Sequence, residues 1–352
     1  MSDRLPLIYF YIPQSDWATE FPKNADTYWV GFRRGIYCWT LQTYLRLQAD
    51  GFPCQLVGEI PDEGIVLAHW DSLPPNWRPT AKLLLVCLQA DRARHPYAQI
   101  HVVQNPKGLL KQVMLLGDRY LLPGKVYYMP HWPQPGLIPR DRARGDRFEN
   151  IAFFGLADNL LPELQASSWQ EQVQALGLNW VVVDNFERWN DYSDVDAILA
   201  VRSFTQKDFT WKPATKLYNA WHAGVPAILG CESAYQAERK SHLDYLEVSS
   251  LDDIIAALER LRDDKEFRQA MVEHGKIRAK ETDPANLTQQ WKNLITQEVV
   301  PAYEAWRTSP LYRQSFLQRR RLAVETREMR KALQKWRNHL GIRTWLRSLS
   351  SK

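Results

Sequence analysis

Residues Lys212 to Gly230 read KPATKLYNAWHAGVPAILG, and the fold turns on that stretch. Leu217, Ala220, Trp221 and Gly224 recur at i, i+3, i+4 and i+7, so one face of a short helix is apolar or small and fits against a sheet. Pro213 suits a first helical turn, where its missing N–H is not needed, and Gly224 followed by Pro226 stops the helix. The apolar run Val225 to Leu229 then reads as a buried strand.

Lys212 and Lys216 stand at the start of this helix, the end at which the macrodipole disfavours cations. A bound anion removes the conflict. The free N–H groups of the first turn and two ammonium groups together make a receptor for a phosphate or diphosphate. Two solvated surface lysines are the plain alternative.

The pattern K-P-x-x-K-L-Y-N-A-W-H-A-G-V-P-A-I-L-G resembles the donor-site segment of GT-B glycosyltransferases, in which a helix entering an A-G-x-P turn holds the diphosphate of a nucleotide sugar. It is also similar to the E-K-L-x-N-A segment of fucosyltransferases. In that comparison Lys216 falls on the lysine and Asn219 and Ala220 on the N-A pair, while Thr215 stands where the glutamate would be. The glutamate pair of retaining GT-B enzymes, separated by seven residues, would fall on Trp211 and Asn219, so both acids are absent. The resemblance implies an α/β chain of two Rossmann-like doubly wound domains. It implies a hexosyltransferase-like enzyme that moves a sugar to a hydroxyl of a glycan, lipid-linked or small-molecule acceptor, with neither metal nor cofactor. The alternative is a catalytically inactive GT-B-like protein that binds glycan or nucleotide or serves interaction.

The order of elements agrees with two such domains. Leu7 to Ile12 is a short apolar run bounded by prolines, read as a first strand. The stretch GFRRGIYCWTLQTYLRLQADGF then carries apolar residues at helical spacing up to Gly51, without a G-x-G-x-x-G fingerprint. Gln55–Val57, Ile65–His69, Leu83–Leu88, His101–Gln104 and Lys125–Met129 follow as strands of a parallel sheet. Pro130 to Phe148 is rich in proline and charge, as an interdomain linker is. A second series of strands begins at Ile151 with a glycine turn at Gly155, and helices run from Ser250 to Trp306. The expected domains are 1–147 on the acceptor side, 148–308 on the donor side with closing helices, and a basic helical tail over 309–352.

Ligands of such sheets collect beyond the carboxyl ends of the strands, which singles out a set of residues. His69 ends a strand and is a candidate general base, with Asp71 to orient it; a structural histidine is the alternative. His131 and Trp132, at the head of the linker, are expected to face the cleft. On the donor side, Gly155 follows a strand, Arg202 is placed to clamp the diphosphate or to pair with Asp194 or Asp208, and Glu232 to accept from sugar hydroxyls. Lys212, Thr215, Lys216 and Asn219 complete the set.

Composition bounds the rest. With 352 residues, 45% hydrophobic and 24% charged, the chain has room for two cores, and no apolar run reaches the roughly 20 residues of a membrane span. The first residues read as a strand, not a signal peptide, so a cytoplasmic location is expected. Cys38, Cys54, Cys87 and Cys231 lack the spacing of a zinc site or a disulfide framework. Fifteen tryptophans, among them Trp29, Trp70, Trp132 and Trp189 in expected loops, can stack on sugars or serve as core.

The net charge of +5 is unevenly distributed. Twelve Arg and Lys face two Glu between Arg313 and Lys352, a net of +10, which leaves −5 on the rest. Leu322, Met329, Leu333, Trp336 and Leu340 add an apolar stripe. A basic amphipathic helix suits an anionic membrane surface, hence a peripheral place at the cytoplasmic face, or an acidic partner. Nucleic acid is not expected, since the body has no recognisable module for it.

Overall fold

In the computed structural model of the protein, residues 5–108, 124–205 and 208–339 are described. The first sheet is built from β1 (Ile8–Tyr11), β2 (Gln55–Val57), β3 (Gly64–His69), β4 (Leu83–Leu88), β5 (Ile100–Val103) and β6 (Lys125–Tyr128), in the order β2-β1-β3-β4-β5-β6. Every pairing is parallel. Parallel sheets are covered on both faces, and β3 and β4 accordingly bury every residue.

The second sheet contains β7 (Asn150–Phe154), β8 (Asn179–Val183), β9 (Ala197–Ala200), β10 (Ala227–Gly230) and β11 (Leu246–Val248), also all parallel, in the order β11-β10-β9-β7-β8. Counted within each domain, both sheets run 2-1-3-4-5, the first with a sixth strand added. The direction of winding therefore reverses between β1 and β3 and again between β7 and β9, and such switch points open a crevice at the carboxyl ends of the strands. The chain thus has the two Rossmann-like domains of the GT-B arrangement.

Helices cover the sheets where the sequence supplies caps. A π-helical turn, Ile36–Leu41, leads into α1 (Gln42–Ala49), and α2 (Ser167–Ala175) packs beside β8. The helix of the key stretch is α3 (Thr215–Ala223), closed by Gly224 in the left-handed region at φ +71°. It begins at Thr215, so Pro213 and Lys212 lie in the turn before it. α4 (Ser233–Glu238) and α5 (Leu251–Asp263) follow; Ser250 Oγ accepts the Asp253 N–H at 3.0 Å while Asp253 accepts the Ser249 N–H at 2.8 Å. α6 (Lys265–Ala279) lies close to α3, because Gly275 leaves room for Trp221.

From Pro284 the chain returns to the first domain. Leu287, Trp291 and Leu294 of α7 (Pro284–Leu294) and Tyr303 and Trp306 of α8 (Val300–Thr308) join Ile8, Trp39, Leu67 and Val86 in one core. The expected 148–308 unit is thus continuous in sequence but divided in space. Helix α9 (Pro310–His339) continues on the first domain, burying Phe316, Arg320 and Ala323, and then leaves the body. Leu340 lies outside the described residues. Among those described, no helix is long and apolar enough to cross a membrane.

Trp306 is fully buried and donates its indole N–H to the Thr80 carbonyl at 2.9 Å. Trp306→Ala is expected to destabilise the first domain by about 3–5 kcal/mol, read from urea denaturation. An effect under about 1 kcal/mol would show that α8 is not part of that core.

Candidate functional site

The two switch points face each other across a cavity of about 460 Å³. From the first domain come Gly35, Cys38, Trp39, His69, Asp71, Asp91, Arg92 and His131; from the second, Gly155, Tyr192, Arg202, Lys212, Thr215, Lys216, Asn219 and Tyr235. Of the candidate site residues, Glu232 and Trp132 are not in its wall, and of the loop tryptophans Trp189 lines it whereas Trp29 and Trp70 do not. Glu232 lies behind Arg202, and Trp132 is fully buried in the first domain, its indole N–H donating to Thr43 Oγ1 at 2.9 Å. Trp132 therefore fills core and does not face the cleft as expected.

The second-domain wall is cationic and starved of water. Lys216 sits in the first turn of α3, its ammonium donating to the Phe154 carbonyl at the end of β7 and resting 4.6 Å from the Phe153 ring centre. Loss of water, with Arg202 and Lys212 nearby, holds its pKa down to about 7, against the opposing pull of Glu232. Gly155, at φ +146°, makes this approach possible: a Cβ there would come within 3.2 Å of the Lys216 ammonium. Burial also holds the Glu232 carboxyl above the ordinary range although Arg202, Lys216 and Lys212 pull it down. Both groups are pushed toward neutrality, as charges are when water is taken away and no full partner replaces it.

Several donors in this wall have no hydrogen-bond partner among the described residues. Arg202 Nε and Nη1 and Thr215 Oγ1 are buried and unmatched, and Arg202 meets Glu232 only as an ion contact of 3.5 Å. Asp194, one expected partner of Arg202, lies against Arg188 instead, at 3.7 Å. Beside these donors stand the first-turn N–H groups of α3. Asn219, one turn on, is engaged in structure, its side-chain carbonyl accepting the Gln134 N–H at 2.9 Å. Lys212 pairs across the cleft with Asp91, which Gln104 also holds at 2.6 Å. Ala90, just before Asp91, adopts φ +47°, a region uncommon for a residue with a Cβ, and turns the chain at the end of β4.

The two histidines on the first-domain wall carry opposite tautomers. His69 Nδ1 accepts the Asp71 backbone N–H at 3.1 Å, so its proton is on Nε2 and the ring is a donor. Asp71 does not orient a base as expected: its carboxylate is 3.8 Å from Nδ1 and is held by both ends of Arg92, at 2.8 and 3.0 Å. Burial keeps His69 neutral, its pKa lowered to about 4 despite Asp71. Gly35 is required above this ring, since a Cβ would lie 2.7 Å from Nε2. His131 is the converse. Its Nδ1 must donate to the Trp132 carbonyl at 2.7 Å, which leaves Nε2 as an acceptor, 3.5 Å from the Cys38 thiol that donates to it. Burial lowers its pKa too.

Asp91 and Cys38 were missed by sequence reasoning. Asp91 lies two residues past a strand, so the carboxyl-end rule applies to it, whereas nothing near Cys38 marks it. On the opposite rim, Tyr28 donates to the Phe186 carbonyl and the Arg33 guanidinium lies 4.2 Å from the Phe186 ring centre, so the domains touch on both sides of the cavity.

No protein-family model matches the sequence, and no curated protein matches it. Among solved structures, the fold is similar to that of Anabaena HepE in complex with UDP-glucose, with TM-score 0.46 and 9% identity over 83% of this chain and all of that one. It is also similar to sucrose-phosphate synthase from Thermosynechococcus elongatus, with TM-score 0.44 and 12% identity over 75% of this chain and 78% of that one. A third is the pneumococcal O-GlcNAc transferase GtfA with UDP and GlcNAc, with TM-score 0.42 and 14% identity over 63% of this chain. This chain spans 53% of GtfA, about half its length. At these identities each is a likeness of fold.

The state of Lys216 sets a pH dependence. With its folded pKa near 7 and an unfolded value near 10.4, the unfolded chain binds more protons between these limits, so stability rises with pH there and the contribution is lost as pH falls toward 7. Relative to Lys216→Met, the wild-type protein is expected to lose at most about 1.4 kcal/mol per pH unit as pH is lowered from about 10 to 7. Parallel stability curves for the two proteins would show that the ammonium is not desolvated.

Proposed function

We propose that the protein is a glycosyltransferase that binds a nucleotide diphosphate sugar between its two domains and transfers the sugar to an acceptor hydroxyl. The observation that carries this reading is the junction of α3 with the ends of β7 and β9. There Lys216, the unmatched donors of Arg202 and Thr215, and a helix N-terminus converge on one cavity. A diphosphate supplies the negative charge that this junction favours and offers oxygens to the unmatched donors. Its arrival restores the ammonium form of Lys216.

In the transfer, an acceptor oxygen bonds to the anomeric carbon as the bond from that carbon to the diphosphate oxygen breaks. The charge that develops on the leaving diphosphate falls on Arg202, Lys216 and the α3 terminus, which are already in place and poorly hydrated. His131, not His69, takes the acceptor proton, because the unprotonated nitrogen of His69 is occupied by the Asp71 N–H whereas that of His131 meets the weak Cys38 thiol donor. His69 Nε2–H donates to an acceptor or sugar oxygen. Asp71 holds Arg92, and Glu232 tempers the cation cluster. No cofactor beyond the nucleotide sugar is assigned. The acceptor is a glycan, a lipid-linked sugar or a small polyol.

A binding protein without turnover is the second reading, favoured by the absence of acids at Trp211 and Asn219. The two readings separate experimentally. Lys216→Ala is expected to weaken UDP binding by about 1.5–3 kcal/mol in calorimetry, and wild type to take up protons from the buffer on binding at pH 8. Affinity equal to wild type in the folded variant would exclude this junction as the diphosphate site. If transfer is observed, His131→Gln should lower kcat about 10²- to 10⁴-fold. The wild-type acid limb should fall below pH 6.5, since the base must be neutral and its pKa is depressed. His69→Gln should act mainly on the KM of the acceptor. UDP-sugar binding with no transfer across a panel of acceptors would select the second reading.

A further inference from the structure

Helix α9 has two halves in different surroundings. Its first half is docked: Phe316 packs edge-on to Trp306, with ring centres 5.3 Å apart, and Arg320 Nη2 donates to the Ala98 carbonyl at 3.2 Å. Beyond Arg327 the helix leaves the body; Met329, Leu333 and Trp336 are each 60% exposed or more, and Leu322, still on the docked part, is 53% exposed. At about 100° per residue these four fall within an arc of roughly 60°. They form one apolar stripe on a helix that points away from the core, which is not the pattern of scattered surface apolar residues.

One flank of the stripe is basic, and the other carries the ion pair of Arg321 with Glu325. Arg319 and Arg330 run along one border, and Lys331 and Lys335 lie on the opposite face. The carboxylates of this half are neutralised within the helix, Glu325 by Arg321 at 2.7 Å and Glu328 by Lys331 at 2.9 Å. The rest of the chain, residues 1–312, has a net charge of −5, against +10 over residues 313–352.

We propose that the outer part of α9 is an interfacial helix that lies on an anionic lipid surface, with Leu322, Met329, Leu333 and Trp336 in the acyl boundary and Arg319 and Arg330, along the border of the stripe, among the headgroups. The docked half ties that surface to the first domain. A second copy of the helix fits the pattern less well. With Leu322, Met329 and Trp336 at the a positions of a heptad, the d positions fall on Glu325 and Ala332, and pairing two such helices brings like charges together. A nucleic-acid duplex uses the cations but leaves the apolar stripe unexplained. This inference does not depend on the glycosyltransferase reading.

The test is co-sedimentation of the full chain with vesicles of phosphatidylcholine, with and without phosphatidylglycerol. Binding is expected on the anionic vesicles at low salt, to fade as salt rises, and to stay near background on phosphatidylcholine alone. The triple variant Met329→Glu, Leu333→Glu, Trp336→Glu alters only exposed side chains. It should keep the wild-type unfolding temperature and lose at least about tenfold in vesicle partitioning. Excess duplex DNA should leave the vesicle-bound fraction unchanged. Equal binding to neutral vesicles, wild-type binding by the triple variant, or release by DNA would overturn the proposal. So would a wild-type dimer that ignores vesicles and that the triple variant dissociates, which would identify a second copy as the occupant. Truncation after Thr308 is a poor substitute, because it removes the buried Phe316 and Ala323.

Discussion

The parallel pairing of both sheets is the constraint on which the rest of the structure depends. A parallel strand needs a crossover before the next one, so every carboxyl-end loop of a sheet opens on the same edge. In this chain His69, Asp91, Gly155, Arg202 and Lys216 owe their position to that rule and not to proximity in sequence. Two sheets of the same 2-1-3-4-5 winding, turned edge to edge, bring two such loop sets onto one cavity. Any change that made one strand antiparallel would send its loop to the far side.

The domains are held in this relation by polar contacts more than by a shared core. Asn105 alone donates from the first domain to the Lys212 carbonyl at 3.1 Å and to Ser233 Oγ at 3.0 Å, and Tyr128 meets Tyr218 and Glu238 of the second domain. The main apolar clusters are separate: one belongs to the first sheet with α7 and α8, another to the second sheet with α3, α5 and α6. The chain passes between domains twice, through residues 130–148 and again near Asp283. Such an interface can change without unfolding either core. The cation cluster fits the same picture, since its members are stabilised against each other only in part by Glu232.

Each histidine takes its chemistry from one backbone group. The Asp71 N–H makes His69 a donor, and the Trp132 carbonyl makes His131 an acceptor. A nearby carboxylate is not enough to make a histidine a base; the ring nitrogen facing the carboxylate has to carry the proton. Asp71 stands close in sequence to His69 and still fails that condition, because its two oxygens are turned to Arg92.

By itself the sequence determined the elements and their order. Short apolar runs such as Ile65–Leu67 and Leu83–Leu88 read as buried strands and Gly224 with Pro226 as a helix end, and both are so in the structure, because these are local consequences of hydrophobic burial and backbone dihedrals. The place of Lys216 at a helix start was legible for the same reason, and a cation there conflicts locally with the helix dipole. Only the tertiary structure decided what depends on distant partners. It returned Pro284–Thr308 to the first domain, put Trp132 in the core, turned Asp71 from His69 to Arg92, and gave Lys212 the partner Asp91. It also gave Arg202 and Glu232 their shared desolvation. Tautomers, ion-pair choice and loss of water are set by groups tens or hundreds of residues apart, and no local pattern in the chain records which of them will meet.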